Sequence, residues 1–418
     1  MKLSRRNFVQ ASGMVGLGSL VPFRRAIAAS PTTTKFIFVF NYGGWDPTRV
    51  FAPEFDNRGV DLERDSESDA IGDLSFVAHA DRPAVSGFME AHADSTLFIN
   101  GVLVPSIAHE KCMHLMMTGS GTDGASDWPA LLAADQASLF PLPHIVISGP
   151  SFPGEMGGVV TRTGSSGQLE SLLSGDIIDW SDVQTQGPGA RSEEIMDAYL
   201  QRRVAALEAA ANSTRDVALL ESYASSLDRA IYLKSLQGIV DWYTGTTLAD
   251  QTAVAVKSLY LGLSRCATLS YSGYGWDSHT RNDYYQNLNF EGLFSGLGDL
   301  MAELAVTPGE ESATLLEETV VVVLSEMGRT PKLNDADGKD HWPYTSVMIT
   351  GPGVTGGRVV GGFDELFYGK TVDPDTAELD EAGIDVTSST IGATLLNLAD
   401  IDHEDYLPGV EALPGVLE

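Results

Sequence analysis

The sequence predicts an α/β fold, a mostly parallel central sheet flanked by helices, and three observations predict it. Short β-branched or apolar runs recur along the chain, each ending in a polar cluster. Amphipathic stretches, several opened by Ser, Thr, Asp or Asn, lie between them. With 418 residues, 43% apolar and 20% charged, the chain can bury a large core, which excludes global disorder, coiled coil and collagen-like repeats. A continuous apolar run reads as a strand covered on both faces, the mark of a parallel sheet whose crossover helices pack on either side.

Taken in order, residues 35–42 (KFIFVFNY) form the first strand, ending at Gly43-Gly44-Trp45-Asp46. A helix over 83–94 precedes a strand over 95–102, which leads into Pro105-Ser106-Ile107-Ala108-His109. Residues 142–148 form a strand stopped by Gly149-Pro150. Helices follow at 192–207, 214–243 and 251–263, and the Ala-rich, charge-alternating tract of about 190–265 is expected as a helical insertion beside the sheet. The strand over 267–274 runs into Trp276-Asp277-Ser278-His279, and a helix spans 289–306. The strand over 319–324 (TVVVVL) runs into Ser325-Glu326-Met327-Gly328-Arg329, that over 347–350 into Gly351-Pro352-Gly353, and a helix spans 388–400. Residues 56–82 and 364–387 are acidic and lack apolar periodicity, so both read as surface loops. Residues 35–418 are expected to form a single α/β domain.

The charge is lopsided, 26 Lys+Arg against 57 Asp+Glu, a formal net of −31. Such a surface repels a phosphate backbone, so nucleic acid is not an expected partner. Two cysteines, Cys112 and Cys266, exclude a disulfide framework and a thiolate zinc site. Residues 1–28 read as a twin-arginine signal peptide: Ser4-Arg5-Arg6-Asn7-Phe8, a weakly apolar stretch, then Ala26-Ile27-Ala28 as a small-residue cleavage site. The twin-arginine export machinery is therefore an expected partner, and the mature protein is expected in the periplasm or outside the cell. No later run is long and apolar enough for a stable membrane span.

In an open parallel sheet, ligands bind beyond the carboxyl ends of the strands. Asp46, His109, Asp277, His279 and Glu326 all lie just past such ends. In an extended segment residues two apart share a face, so Asp277 and His279 can reach one ion together. With His341 they give two imidazoles and a carboxylate, a set suited to zinc, iron or manganese; the alternative is that His279 hydrogen-bonds a loop carbonyl. Glu326, after a buried strand, is costly to desolvate unless paired or metal-bound. Arg329 is either its ion-pair partner or a bidentate anion binder. Asp46, behind two glycines, is either a ligand or a helix cap. Asp340, beside His341, is placed to orient a ligand. His109 and His114, five apart, do not share a helix face, which excludes an HExxH-type motif. No Gly-x-Ser-x-Gly elbow, P-loop or dinucleotide fingerprint is present.

Gly43-Gly44-Trp45-Asp46, Trp276-Asp277-Ser278-His279, Ser325-Glu326-Met327-Gly328-Arg329-Thr330-Pro331 and Gly338-Lys339-Asp340-His341-Trp342 together resemble the bacterial family catalogued as domain of unknown function 1501. That family is similar in turn to the alkaline phosphatase and sulfatase superfamily. The resemblance implies an alkaline-phosphatase-like sheet with one or two divalent ions (zinc, manganese or calcium) at its carboxyl edge and a small anionic phosphate or sulfate ester as substrate. It implies Asp46, Asp277, His279, Glu326 and His341 as metal ligands, with Asp46 and Glu326 at a weaker second site. His109 is expected as general acid or substrate contact, Arg329 as the group steadying the anion or Glu326, and Ser106 as the nucleophile candidate. Two departures count against a full carry-over: Met327 stands where a histidine ligand is usual, and the Cys-x-Pro-x-Arg sulfatase pattern is absent. The alternative is a non-catalytic exported binding or envelope-assembly protein that retains the fold.

Overall fold

The computed structural model describes residues 34–163, 169, 176–177, 185–186, 189–234, 239–242 and 245–418. The signal peptide expected over 1–28 lies outside them, as does part of the tract expected to be helical over 214–243.

The strands are β1 (Lys35–Asn41), β2 (Glu67–Ile71), β3 (Leu74–Ala78), β4 (Thr96–Leu103), β5 (His144–Val146), β6 (Val160–Arg162), β7 (Asp176–Ile177), β8 (Thr185–Gln186), β9 (Cys266–Ser270), β10 (Thr319–Ser325), β11 (Gly328–Arg329), β12 (His341–Trp342), β13 (Tyr344–Thr350) and β14 (Arg358–Gly361). The helices are α1 (Pro83–His92), α2 (His109–Thr118), α3 (Trp128–Asp135), α4 (Ala190–Ala210), α5 (Thr214–Lys234), α6 (Leu248–Tyr260), α7 (Asn282–Val306) and α8 (Ser388–Leu398). Eight strands form one sheet in the order β14-β4-β13-β10-β1-β9-β5-β6. Every pairing is parallel except those of β13, which runs antiparallel to β10 and β4. The expected mixed α/β architecture with a mainly parallel sheet is the one observed.

Strand periodicity builds the two core layers. Along β1, Ile37 and Val39 enter one apolar layer with Val254 of α6 and Phe290 and Leu297 of α7. Phe36, Phe38 and Phe40 enter the other with Leu115 of α2, Leu132 of α3 and Leu395 of α8. Burying each such side chain contributes about 1.5–3 kcal/mol, so the four-valine run of β10 sits rigidly at the sheet centre beside β1.

Several boundaries differ from expectation, each for a physical reason. Residues 56–82 are not only loop: β2 and β3 pair antiparallel, and β3 buries Leu74, Phe76 and Val77. β2 (ESDAI) has an exposed, acidic face, so it carries no apolar alternation to read. Residues 364–387 contain no helix or strand, yet Phe367, Val372, Ala377 and Val386 are buried, so this stretch wraps the core. Helix α3 was not legible as a helix because its apolar residues leave no polar face over so short a span, and α2 because its charged residues sit in its first turn and most of its buried ones in its last. The helix expected from 289 starts at Asn282, because a buried polar stripe of Asn282, Gln286 and Asn289 replaces the usual apolar one. Within residues 190–265, α4 and α5 pack on each other, with Lys234 Nζ 2.6 Å from Glu193 and 3.6 Å from Asp197. α6 instead joins the core against β9 and α7.

Candidate metal centre

The carboxyl ends of β1, β9 and β10 lie side by side, and the segments leaving them converge. After β1 the chain turns through Gly43 and Gly44, both at positive φ. A Cβ on Gly43 would stand 2.8 Å from the Asp277 amide nitrogen, so only glycine lets the β1 and β9 exits pack this closely. β11 and β12 pair antiparallel, Arg329 opposite His341, which returns the 330–340 loop to the same edge.

Glu326, fully buried, does not face open solvent as a ligand. Its Oε1 accepts the Gly43 amide at 2.8 Å and lies 2.8 Å from His109 Nδ1, while Oε2 is 3.0 Å from Ser325 Oγ. His109 opens α2 and presents Nε2 3.4 Å from Asp277 Oδ2. The hydrogen bond to Glu326 is the main reason the His109 pKa is raised, against the opposing effect of burial.

His341 Nδ1 lies 2.7 Å from the Ile107 carbonyl and its Nε2 lies 3.1 Å from Asp277 Oδ1. His279 Nδ1 lies 2.9 Å from Asp340 Oδ1, and its Nε2 is 3.1 Å from Asp277 Oδ1. The alternative reading of His279, a bond to a loop carbonyl, is not what its ring makes. Asp277 is half exposed and receives Arg329 Nη2 at 2.6 Å. Burial pushes its carboxyl up, but opposing effects led by the Arg329 hydrogen bond and charge bring it to about 2.

All three Nδ1 atoms face groups that only accept: two carboxylates and a carbonyl. Assigned from these partners, each neutral ring carries its proton on Nδ1 and aims an Nε2 lone pair at Asp277. His279 Nε2 and His341 Nε2 then stand 3.0 Å apart, lone pair to lone pair, beside a carboxylate. That arrangement is unfavourable unless a cation or a shared proton lies between them. One donor atom each from His109, Asp277 and His341 lies within 4.8 Å of the others. The nitrogen-rich donor set fits a divalent ion of the zinc, iron or manganese type and fits calcium poorly, because calcium takes oxygen ligands.

Asp46 is elsewhere. Its carboxylate is fully buried: Oδ1 accepts Thr48 N at 3.1 Å and Thr48 Oγ at 2.7 Å; Oδ2 accepts Asn282 Nδ2 at 2.8 Å and Lys339 Nζ at 2.8 Å, with Arg49 Nη1 at 3.5 Å. It caps the turn Pro47–Arg49, the second of its two sequence readings. Burial alone would raise its pKa, yet Lys339 and Arg49 hold it far below the carboxylate range. Lys339 is pushed down to about 8 by burial, Asp46 opposing. Arg329, fully buried, does not pair with Glu326. Besides Asp277, it donates to the carbonyls of Gly43, Gly44 and Lys339. Ser106 sits in the turn before α2, its Oγ accepting the Ala108 amide at 3.2 Å, and no hydrogen bond joins it to Asp277. Met327 is buried in the apolar layer under the site. Lys339, Asn282 and the Ile107 carbonyl were not singled out as site groups. Lys339 is visible only as the basic residue beside Asp340-His341, and a backbone carbonyl leaves no trace in sequence.

The fold and site define a mixed α/β protein with a cation-competent cluster at the carboxyl edge of its sheet. The chain belongs to the family described as protein of unknown function (DUF1501), which matches residues 34–417. No curated protein matches it. Among solved structures it is similar to a protein in the alkaline phosphatase superfamily from Vibrio parahaemolyticus (9% identity, 98% of this chain and 78% of that one, TM-score 0.41). It is also similar to phosphonate monoester hydrolase SpPMH from Silicibacter pomeroyi (11%, 92% and 77%, 0.40) and to the lipoteichoic acid synthase LtaP from Listeria monocytogenes (10%, 92% and 75%, 0.39). Among the described residues no helix is long and apolar enough to cross a membrane.

Proposed function

We propose that the chain is an exported, metal-dependent hydrolase of phosphate or sulfate esters. The observation that supports this reading is the convergence of the imidazole Nε2 atoms of His109, His279 and His341 on the Asp277 carboxylate. His109, His341 and Asp277, with His279 beside them, would hold one divalent ion; the revision from the sequence reading is that His109 is a ligand and Asp46 and Glu326 are not. A bound ion supplies Lewis-acid polarisation of the ester and charge stabilisation. The chain's own residues do the rest. Glu326, the Ile107 carbonyl and Asp340 hold the Nδ1 protons and orient the rings, and Arg329 holds Asp277 against the Gly43-Gly44 turn. Ser106 remains the hydroxyl to test as nucleophile. Export through the twin-arginine route rests on Arg5-Arg6 and is tested by Arg5→Lys/Arg6→Lys, which should retain the precursor in the cytoplasm.

The test is elemental analysis of the exported chain followed by a panel of phosphate and sulfate esters. About one zinc, iron or manganese per chain, lost in Asp277→Ala, is expected, with metal-dependent hydrolysis of at least one ester. A metal-free wild type that rejects added metal sinks the reading. The saturation of Arg329 by three carbonyls and Asp277 favours a second reading, a non-catalytic exported protein with a structural ion; stoichiometric metal with no ester turned over would select it.

A further inference from the structure

The charge around the centre limits what it can bind. Arg329 is the cation in contact with Asp277, and its nitrogens are all engaged. Lys339 and Arg49 are fully buried, Lys339 committed to Asp46 and Arg49 to Asp283 and Asp46. The exposed bases nearest in sequence point elsewhere: Lys111 Nζ donates to the Gly121 carbonyl at 2.9 Å, and the Arg281 guanidinium lies 4.3 Å over the Tyr284 ring. Residues 164–188, 235–238 and 243–244 contain no lysine or arginine at all. Against this, Glu326 and Asp340 stand directly behind the imidazoles, and Glu110 is exposed one residue after His109.

Arg329 offsets Asp277, and one divalent ion offsets Glu326 and Asp340. No positive excess is left for an incoming anion, and Glu110, exposed beside His109, adds a further negative charge in a chain of formal net charge −31. From this charge distribution we infer that the ester accepted here carries a single negative charge at its reacting group, as a sulfate monoester or a phosphodiester does. A phosphate monoester, close to a dianion above its second pKa of about 6, is disfavoured. The inference rests on the hydrolase reading and names its substrate class. Hydrolysis balances simply: a water oxygen bonds to phosphorus or sulfur, the bond to the leaving oxygen breaks, and that oxygen takes up a proton, giving an alcohol and the acid anion.

The test uses the full exported chain loaded with zinc or manganese at pH 8. Turnover of p-nitrophenyl sulfate, bis(p-nitrophenyl) phosphate and p-nitrophenyl phosphate is compared, alongside calorimetric binding of methyl sulfate, dimethyl phosphate and methyl phosphate. At least one singly charged ester should exceed p-nitrophenyl phosphate in kcat/KM by about tenfold or more, and methyl phosphate should bind correspondingly weakest. Which monoanion leads separates the sulfate from the diester source. Glu110→Lys, an exposed change, should narrow the gap by about threefold. A wild type that prefers the phosphate monoester in both readouts, or a Glu110→Lys variant whose preference is unchanged, overturns the inference and leaves the hydrolase reading standing. Metal-loaded protein that cleaves none of the three and binds none of the anions overturns both.

Discussion

Two aspartates, Asp46 and Asp277, leave neighbouring strands β1 and β9 at the same sheet edge, and they are balanced in opposite ways. Asp46 is fully buried and surrounded by donors: Thr48, Asn282, Lys339 and Arg49. Asp277 is half exposed, has one strong donor in Arg329, and otherwise faces the Nε2 atoms of imidazoles whose Nδ1 atoms are turned to acceptors. A buried carboxylate must be neutralised by the chain that buries it, and once neutralised it has no coordination capacity left. A carboxylate faced by lone pairs keeps that capacity. Under the proposed function, the Asp46 cluster therefore serves the fold and the Asp277 cluster the metal site.

The sharpest way to break this division is to remove each carboxylate in turn. Asp277→Asn should lower metal binding below detection by calorimetry, and it should also lower the thermal stability of the metal-free protein somewhat, because the buried Arg329 keeps only carbonyl acceptors. Asp46→Asn should cost stability and leave metal binding intact. It leaves Lys339 buried without its paired carboxylate, while Arg49 keeps Asp283 at 2.5 Å, at a cost of about 3–5 kcal/mol in urea unfolding, and the protein that still folds should bind metal in unchanged stoichiometry. A second metal ion lost specifically in Asp46→Asn would erase the distinction between the two sites.

The next effect is smaller and acts through a ring. Glu326 contacts His109 Nδ1 and no solvent. Outer carboxylates of this kind typically change metal affinity by about 10–100-fold when altered. Glu326→Gln should weaken metal binding within that range, and the cobalt(II)-substituted protein should keep its absorption spectrum because the ligand set is unchanged. A changed spectrum would make Glu326 a ligand.

This division was only half legible in sequence. The strands β1 and β10 announce themselves as continuous apolar runs, and the positions past the ends of β10 and β9 identify Glu326 and the 276–279 segment as residues that share an edge. Asp277-x-His279 is readable because alternate residues share a face. The role of Asp46 is not, since its deciding partner Lys339 lies 293 positions away and reaches it through a loop whose path depends on the β11–β12 pairing. His109 was read as a general acid or substrate contact, and its spacing to His114 served only to exclude an HExxH-type motif. What makes it a ligand candidate is Glu326 behind it, a contact set by the tertiary packing of α2 on the β10 exit. The acidic β2 hides for a similar reason: its strand character comes from its pairing with β3.

Acid gives the mildest comparison and turns on a third group. The Asp46 pKa is depressed in the folded state, so its stabilisation is complete above the ordinary carboxylate range and is lost only as pH falls through that lowered value. His144, on β5, is fully buried with Nε2 2.8 Å from Thr268 Oγ, and burial lowers its pKa to about 3. The unfolded chain takes up a proton on this residue below about pH 6.5 while the folded chain does not. Stability from this source therefore falls as pH drops from 6.5 toward 3, by at most roughly 1.4 kcal/mol per unit. His144→Gln should flatten urea-unfolding stability over pH 6.5–4.5, whereas Asp46→Asn should lower the whole curve there without changing its slope. If Asp46→Asn instead removes the slope and His144→Gln does not, the acid-sensitive group is Asp46, and its ion pairs are weaker than the buried geometry requires.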